Sequence, residues 1–154
     1  MTTVSDVSRQ FKDALVTAAT TAIDDTSVKV CYGQPGTEQP DDIVSVGRVT
    51  AVIDPATLTS SLRTRELAVT AEITVSCYRA GGQEQEKIAG DRAYQLLDLV
   101  EEYVRVTDTT LGGVVRWCFC TGHDSDGATD PQVTATGRLI EIKAEFAARA
   151  RITS

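Results

Sequence analysis

From Ile140 to Ile152 every second residue is apolar: Ile140, Ile142, Ala144, Phe146, Ala148, Ala150 and Ile152. Between them stand Glu141, Lys143, Glu145, Arg149 and Arg151. A period of two places the first set on one face of a β-strand and the second on the other. At a rise of about 3.3 Å per residue, a strand of about 13 residues spans about 43 Å. Such a strand needs a broad sheet to sit in and a layer to cover its apolar side. Its charged side has to face water or a partner.

Thr64–Tyr78 repeats the pattern, with Leu67, Val69, Ala71, Ile73, Val75 and Cys77 on one face and Glu66, Thr70, Glu72, Thr74 and Ser76 on the other. Shorter strands are expected at Val28–Tyr32, at Ile43–Ile53 with a bulge or close approach at Gly47, and at Val114–Thr121 with Val115, Trp117 and Phe119 on one face. Two stretches carry helical spacing instead. In the first, Val4, Val7, Phe11, Ala14, Leu15, Ala18 and Ala22 form a stripe behind a Thr3 N-cap with Asp6 three residues on, ending near Asp24–Asp25. The second runs from about Gln83 to Val104, with Ile88, Ala89, Ala93, Leu96, Leu97, Val100, Tyr103 and Val104 as its stripe and Glu84 and Glu86 in its first turn. Gly90 lies inside it at a cost of about 1 kcal/mol, which close packing on the sheet would justify.

Gly/Pro/Asp-rich loops fall at Gly33–Asp42, Asp54–Ser61 and Gly122–Pro131, and a turn at Thr107–Gly113. The element order is therefore α-β-β-β-α-β-β. It predicts one α+β domain over residues 1–154, a two-layer fold with a mainly antiparallel sheet of four to five strands and two helices on one face. A second helix of about 33 Å is shorter than the last strand, so the helices leave part of the sheet bare.

The net charge is −7 and the pI about 4.7, with no Lys/Arg-rich run. Tight duplex-DNA binding needs a basic patch that displaces counterions, and an acidic surface repels the phosphates instead. No apolar run reaches the roughly 20 residues of a membrane span, and the first residues do not read as a secretory signal. The protein is expected to be cytosolic where it is made, with Cys31, Cys77, Cys118 and Cys120 reduced and buried as small hydrophobes.

Three chemistries compete with that bland reading. Cys118 and Cys120 share a strand face close to His123, Asp124 and Asp126, which gives a small thiol/metal-binding alternative, but zinc sites usually repeat a pair of ligands two to four residues apart. "DSDGATD" begins like a calcium loop yet has Ala128 at the fifth ligand position and no glutamate at the required distance. His123 near Cys120 offers a thiolate activator without an orienting third group. None of these carries a catalytic or cofactor signature, so no enzyme activity and no cofactor is expected. The charged face of the last strand points rather to specific ion pairing with a partner.

The order of elements, with "VKVCYG", "RELAVTAEITVSCY", the helix "EQEKIAGDRAYQLLDLVEEYV", "TDTTLGGVV" and "GRLIEIKAEFAARARI", resembles the tail-terminator (minor tail) proteins of long-tailed phages across most of the chain. The resemblance implies a structural, non-enzymatic protein of the virion, assembled in the host cytoplasm. It would form a hexameric ring that caps the tail tube, stops its polymerisation and joins the tail to the neck of the head. The alternative within the same class is another head–tail connector or neck protein of similar fold. The partners implied are other copies of the chain, the tube protein and a neck or head-completion protein, with DNA passing through unbound. Six copies would carry a formal charge of −42, six times that of one chain. Interface candidates are Arg63, Arg65, Arg138, Glu141, Lys143, Glu145, Arg149 and Arg151, arginine being favoured because its planar fork pairs bidentately with carboxylates. The three loops would order on contact with tube or neck.

Overall fold

The computed structural model describes residues 2–37, 39–54, 64–129 and 131–153. Helix α1 (Val4–Ile23) leads into β1 (Val28–Tyr32), β2 (Asp42–Ile53) and β3 (Thr64–Ala80). Helix α2 (Glu84–Glu102) follows, then β4 (Trp117–Asp124), the short α3 (Pro131–Thr134) and β5 (Gly137–Thr153). The strands form one sheet in the order β1-β2-β3-β5-β4. The expected two-layer α+β fold, with element order α-β-β-β-α-β-β, is what the structure has.

α1 begins where the sequence places it. Thr3 Oγ1 accepts the Asp6 N–H at 3.2 Å and Asp6 Oδ2 accepts the Thr3 N–H at 3.0 Å, a reciprocal cap. Asp24 closes the helix in the left-handed conformation, its N–H donating to the Thr20 carbonyl. α2 differs at its end. It widens into a π turn at Tyr103–Thr107, where the Asp108 N–H reaches the Tyr103 carbonyl at 2.8 Å.

β3 and β5 pair antiparallel over their whole length, from Thr64↔Thr153 to Ala80↔Gly137, and form the spine of the sheet. Seventeen residues at about 3.3 Å each reach about 56 Å, against about 29 Å for the 19 residues of α2. The apolar alternates of both strands point under the helices, where Leu67, Ile73, Val75, Ile142 and Phe146 are fully buried with Phe11, Leu15 and Leu96. At the head of β5, a Cβ on Gly137 would meet the Arg79 carbonyl oxygen at 2.6 Å, so only glycine lets β5 start against β3 there.

One detail adds to the sequence reading and two depart from it. β1 runs parallel to β2, in the register Val28↔Asp42 to Tyr32↔Val46, while all other pairs are antiparallel. The nine residues between them, reaching about 30 Å when extended, suffice to carry the chain back along a five-residue strand. Gly90 does not pack on the sheet. A Cβ there would meet nothing within 4 Å, because it borders an open groove beside Tyr94, Ser125 and Gly127. Val115 is buried but does not share a face with Trp117 and Phe119. It belongs to the turn before β4, whose positive φ values at Leu111, Gly112 and Gly113 reorient the chain. Within β4 the small Cys118 goes inward, and the large aromatics go outward.

Candidate interaction surface

The helix-free face of the sheet collects most of the charged candidates. Glu141, Lys143, Glu145, Arg149 and Arg151 all alternate outward along β5. Cross-strand register brings Glu145 opposite Glu72, Lys143 opposite Thr74 and Glu141 opposite Ser76. The face is polarised along the strands. Towards the β3 C-terminus lie Glu72, Glu141 and Glu145 with Lys143 and Arg48. Towards the β3 N-terminus, Arg116 and Arg151 both donate to Glu66 Oε1 at 2.8 Å, with Arg149 on the neighbouring outward position of β5. Among the described residues, no ion pair closes on Glu72, Lys143, Glu145 or Arg149. These groups are held out to solvent and stay available to a partner.

Two open grooves cross this face. One of about 740 Å³ runs between the loop bearing Gln34, Pro35 and Gln39 and the α3 side at Val133 and Thr136, floored by Glu72, Thr74 and Glu141. The other, about 710 Å³, is bordered by Arg48, Glu72, His123, Lys143 and Glu145. Both have polar, charged floors, unlike the mostly apolar pockets that hold small molecules.

The remaining candidates lie elsewhere. Arg138 turns to the helix side, where it donates to the Thr134 carbonyl at 2.7 Å and lies 3.6 Å from Glu86. It ties α3 and α2 to the start of β5. Arg65 alternates with Glu66, so it sits on the helix side at the start of β3, opposite Ile152. Arg63 lies outside the described residues, as does the loop Asp54–Ser61 apart from Asp54 itself. The sequence reading missed Trp117 and Phe119. They stack at 5.1 Å on the open face, 36% and 47% exposed. Their place beside two cysteines in one strand was the signal, since the smaller alternates suit the thin edge of the core.

Cys118, Cys120 and His123 share the helix-side face of β4. Burial pushes the Cys118 thiol up to about 12, with Cys120 beside it adding to the shift, and burial also raises Cys120. A thiol so raised is a poor nucleophile at neutral pH. His123 stands edge-on to Tyr94 at 5.6 Å. Among the described residues, no three His, Cys, Asp or Glu side chains converge as metal ligands, and no helix is long and apolar enough to cross a membrane.

A second polar cluster sits at the sheet margin. Asp42, 6% exposed, accepts from Arg79 at 2.6 and 3.1 Å and from Arg92 at 3.2 Å, and Arg92 also reaches Asp25 at 2.9 Å. Burial pushes the Asp42 carboxyl up, but the hydrogen bonds from Arg79 and Arg92 outweigh it and hold the carboxyl below its ordinary range. The cluster joins the end of α1, β2, β3 and α2, and reads as a structural clamp.

No protein-family model matches this chain, and no curated protein matches it.

Proposed function

We propose that this protein is a ring-forming structural assembly protein of the tail-terminator kind. It would cap a tail tube, end its polymerisation and present a surface to the neck of a phage head. The observation that carries the reading is the open sheet face. A spine of two strands, each 17 residues long, is covered by helices on one side only. On the other side, among the described residues, Glu72, Glu141, Lys143 and Glu145 are in no ion pair. A β wall of this kind gains from a neighbour or a channel on its charged side. With three of those four groups acidic, a lumen lined by them would repel DNA and let it slide. The fold order that underlies the resemblance supports the same reading.

Native mass spectrometry of the reduced protein over a concentration series tests it. A mass of six chains is expected. A protein that stays a single chain throughout, and that never caps tail tubes mixed with it, would refute the proposal.

A further inference from the structure

The two outer edges of the sheet are complementary to each other. β1 covers only Asp42–Val46 of β2, so the outer edge of Val49–Ile53 has no strand partner among the described residues. At the opposite margin the outer edge of β4 is equally bare. Proteins blunt such edges with charge or proline, because unpaired N–H and C=O groups recruit other chains. Neither segment is blunted: "VTAVI" (Val49–Ile53) and "WCFC" (Trp117–Cys120) contain no charged residue and no proline.

The register relates the two edges closely. Trp117 pairs with Arg149, Arg149 with Ala68, and Ala68 with Val52, so Trp117 and Val52 end the same row of the sheet. Both lie on the open face, and Val52 is 58% exposed. Phe119 and Thr50 end the next outward row through Ala147 and Thr70. Backbone polarity matches as well. The Asp54 N–H bonds the Glu66 carbonyl, so by antiparallel alternation Val49, Ala51 and Ile53 turn their N–H and C=O groups outward. Trp117 and Phe119 face β5 in the same alternation, which leaves Cys118 and Cys120 outward, on the rows of Ala51 and Val49. Both strands also carry a bulge on one row: the extra residue of β2 falls opposite Glu72, whose partner Glu145 faces the irregularity in β4. Bulges bend a strand, so the two edges bend at the same height.

We propose that copies of this chain join head to tail by strand addition, Trp117–Cys120 of one copy pairing antiparallel with Val49–Ile53 of the next. A contact that places Cys118 against Ile53 and Phe119 against Val52 keeps the core and open faces of the two sheets in phase, and it holds His123 and Asp124 clear of the rows of Val46 and Ser45, which Tyr32 and Cys31 already take. An even-numbered shift keeps that phase. The interface is heterologous, so it propagates until it closes. For closure at six copies the proposal rests on the ring reading, and a closed ring would then be one continuous barrel with β2, β3, β5 and β4 from each copy.

Disulfide trapping tests this in the full chain. Val52→Cys or Thr50→Cys is combined with Trp117→Cys or Phe119→Cys, which spans that register and two shifts of it. Under mild oxidation at least one double variant should give a ladder of trimers and longer species, while each single variant stops at dimers. Ala51→Pro removes one outward N–H on an edge strand. It should raise the concentration needed for association at least tenfold, with the circular dichroism spectrum and thermal midpoint close to those of the parent. No ladder in any pairing, or undiminished association of a folded Ala51→Pro protein, overturns the proposal. Six-chain rings without a ladder would overturn it while leaving the ring reading intact. A ladder with open filaments or another closed number would uphold the strand contact and remove the six-fold ring.

Discussion

Glu72 and Glu145 stand directly opposite each other on β3 and β5, two carboxylates on one exposed row of the sheet. Like charges so placed destabilise a sheet by a few tenths of a kcal/mol, and an opposite pair gains a similar amount. Glu145→Lys is therefore expected to stabilise the single chain by about 0.5–1 kcal/mol, seen as a thermal midpoint higher by about 2 °C at low salt. A lower midpoint would show that the carboxylates are already neutralised within the chain. If the face works as proposed, the same variant impairs assembly or tube capping, which separates stability from use.

The Asp42 cluster sets the acid limit. Its carboxyl titrates below the unfolded value of 3.8, so its contribution is fully present above that value and is lost as pH falls through the lower folded value. Asp42→Asn should cost about 2 kcal/mol at pH 7, less than for a fully buried pair because Arg79 and Arg92 keep some exposure. It should also flatten the stability profile below about pH 4, the region where the parent loses this contribution. Urea titrations at pH 7 and pH 3 check both. An equal loss at the two pH values would show that the cluster acts through packing rather than charge.

Gly90→Ala should raise stability by about 1 kcal/mol. The position is helical and a Cβ there meets nothing within 4 Å, so the substitution removes only the backbone entropy cost of glycine. Chemical denaturation with an unchanged slope would measure it. A destabilised protein would mean that the groove beside Tyr94 needs the space.

Thr3→Ala removes the reciprocal cap of α1 and should cost about 1 kcal/mol. Amide exchange should then quicken first in the opening turn, which carries the buried Val7 at its end.

Thiol labelling separates the cysteines. Cys118 should resist alkylation in the native protein at neutral pH, and Cys120, only partly buried, should react first. Peptide mass mapping reads the order. Rapid native-state modification of Cys118 would favour the thiol-based reading.

How much of this could be read in advance depended on the length of the signal. The alternations at Leu67–Cys77 and Ile140–Ile152 run unbroken over many residues, so their strands, their buried faces and the open charged face were all legible. The direction of β1 was not, since a five-residue strand carries the same pattern parallel or antiparallel. The orientation of β4 was obscured because Val115 is apolar and in phase with Trp117 yet belongs to a turn. The bulges left only Gly47 as a trace. The Asp42 clamp joins residues from four elements that no local pattern links. An aspartate at the head of an apolar strand was its sole mark.

The place of β5 in the sheet governs the order in which the protein can fold. It sits between β3 and β4, pairing with β3 along its whole length and with β4 over Lys143–Arg149, yet it is the last of the five strands to leave the ribosome. Until then β3 has a bare inner edge, β4 has no neighbour, and half of the surface beneath α2 is missing. Contacts as distant in sequence as Thr64 with Thr153 must be made before the domain closes, which makes folding slow. The nascent chain therefore carries an unfilled slot shaped for one strand, and the cell has to shield that slot from every other strand until β5 arrives.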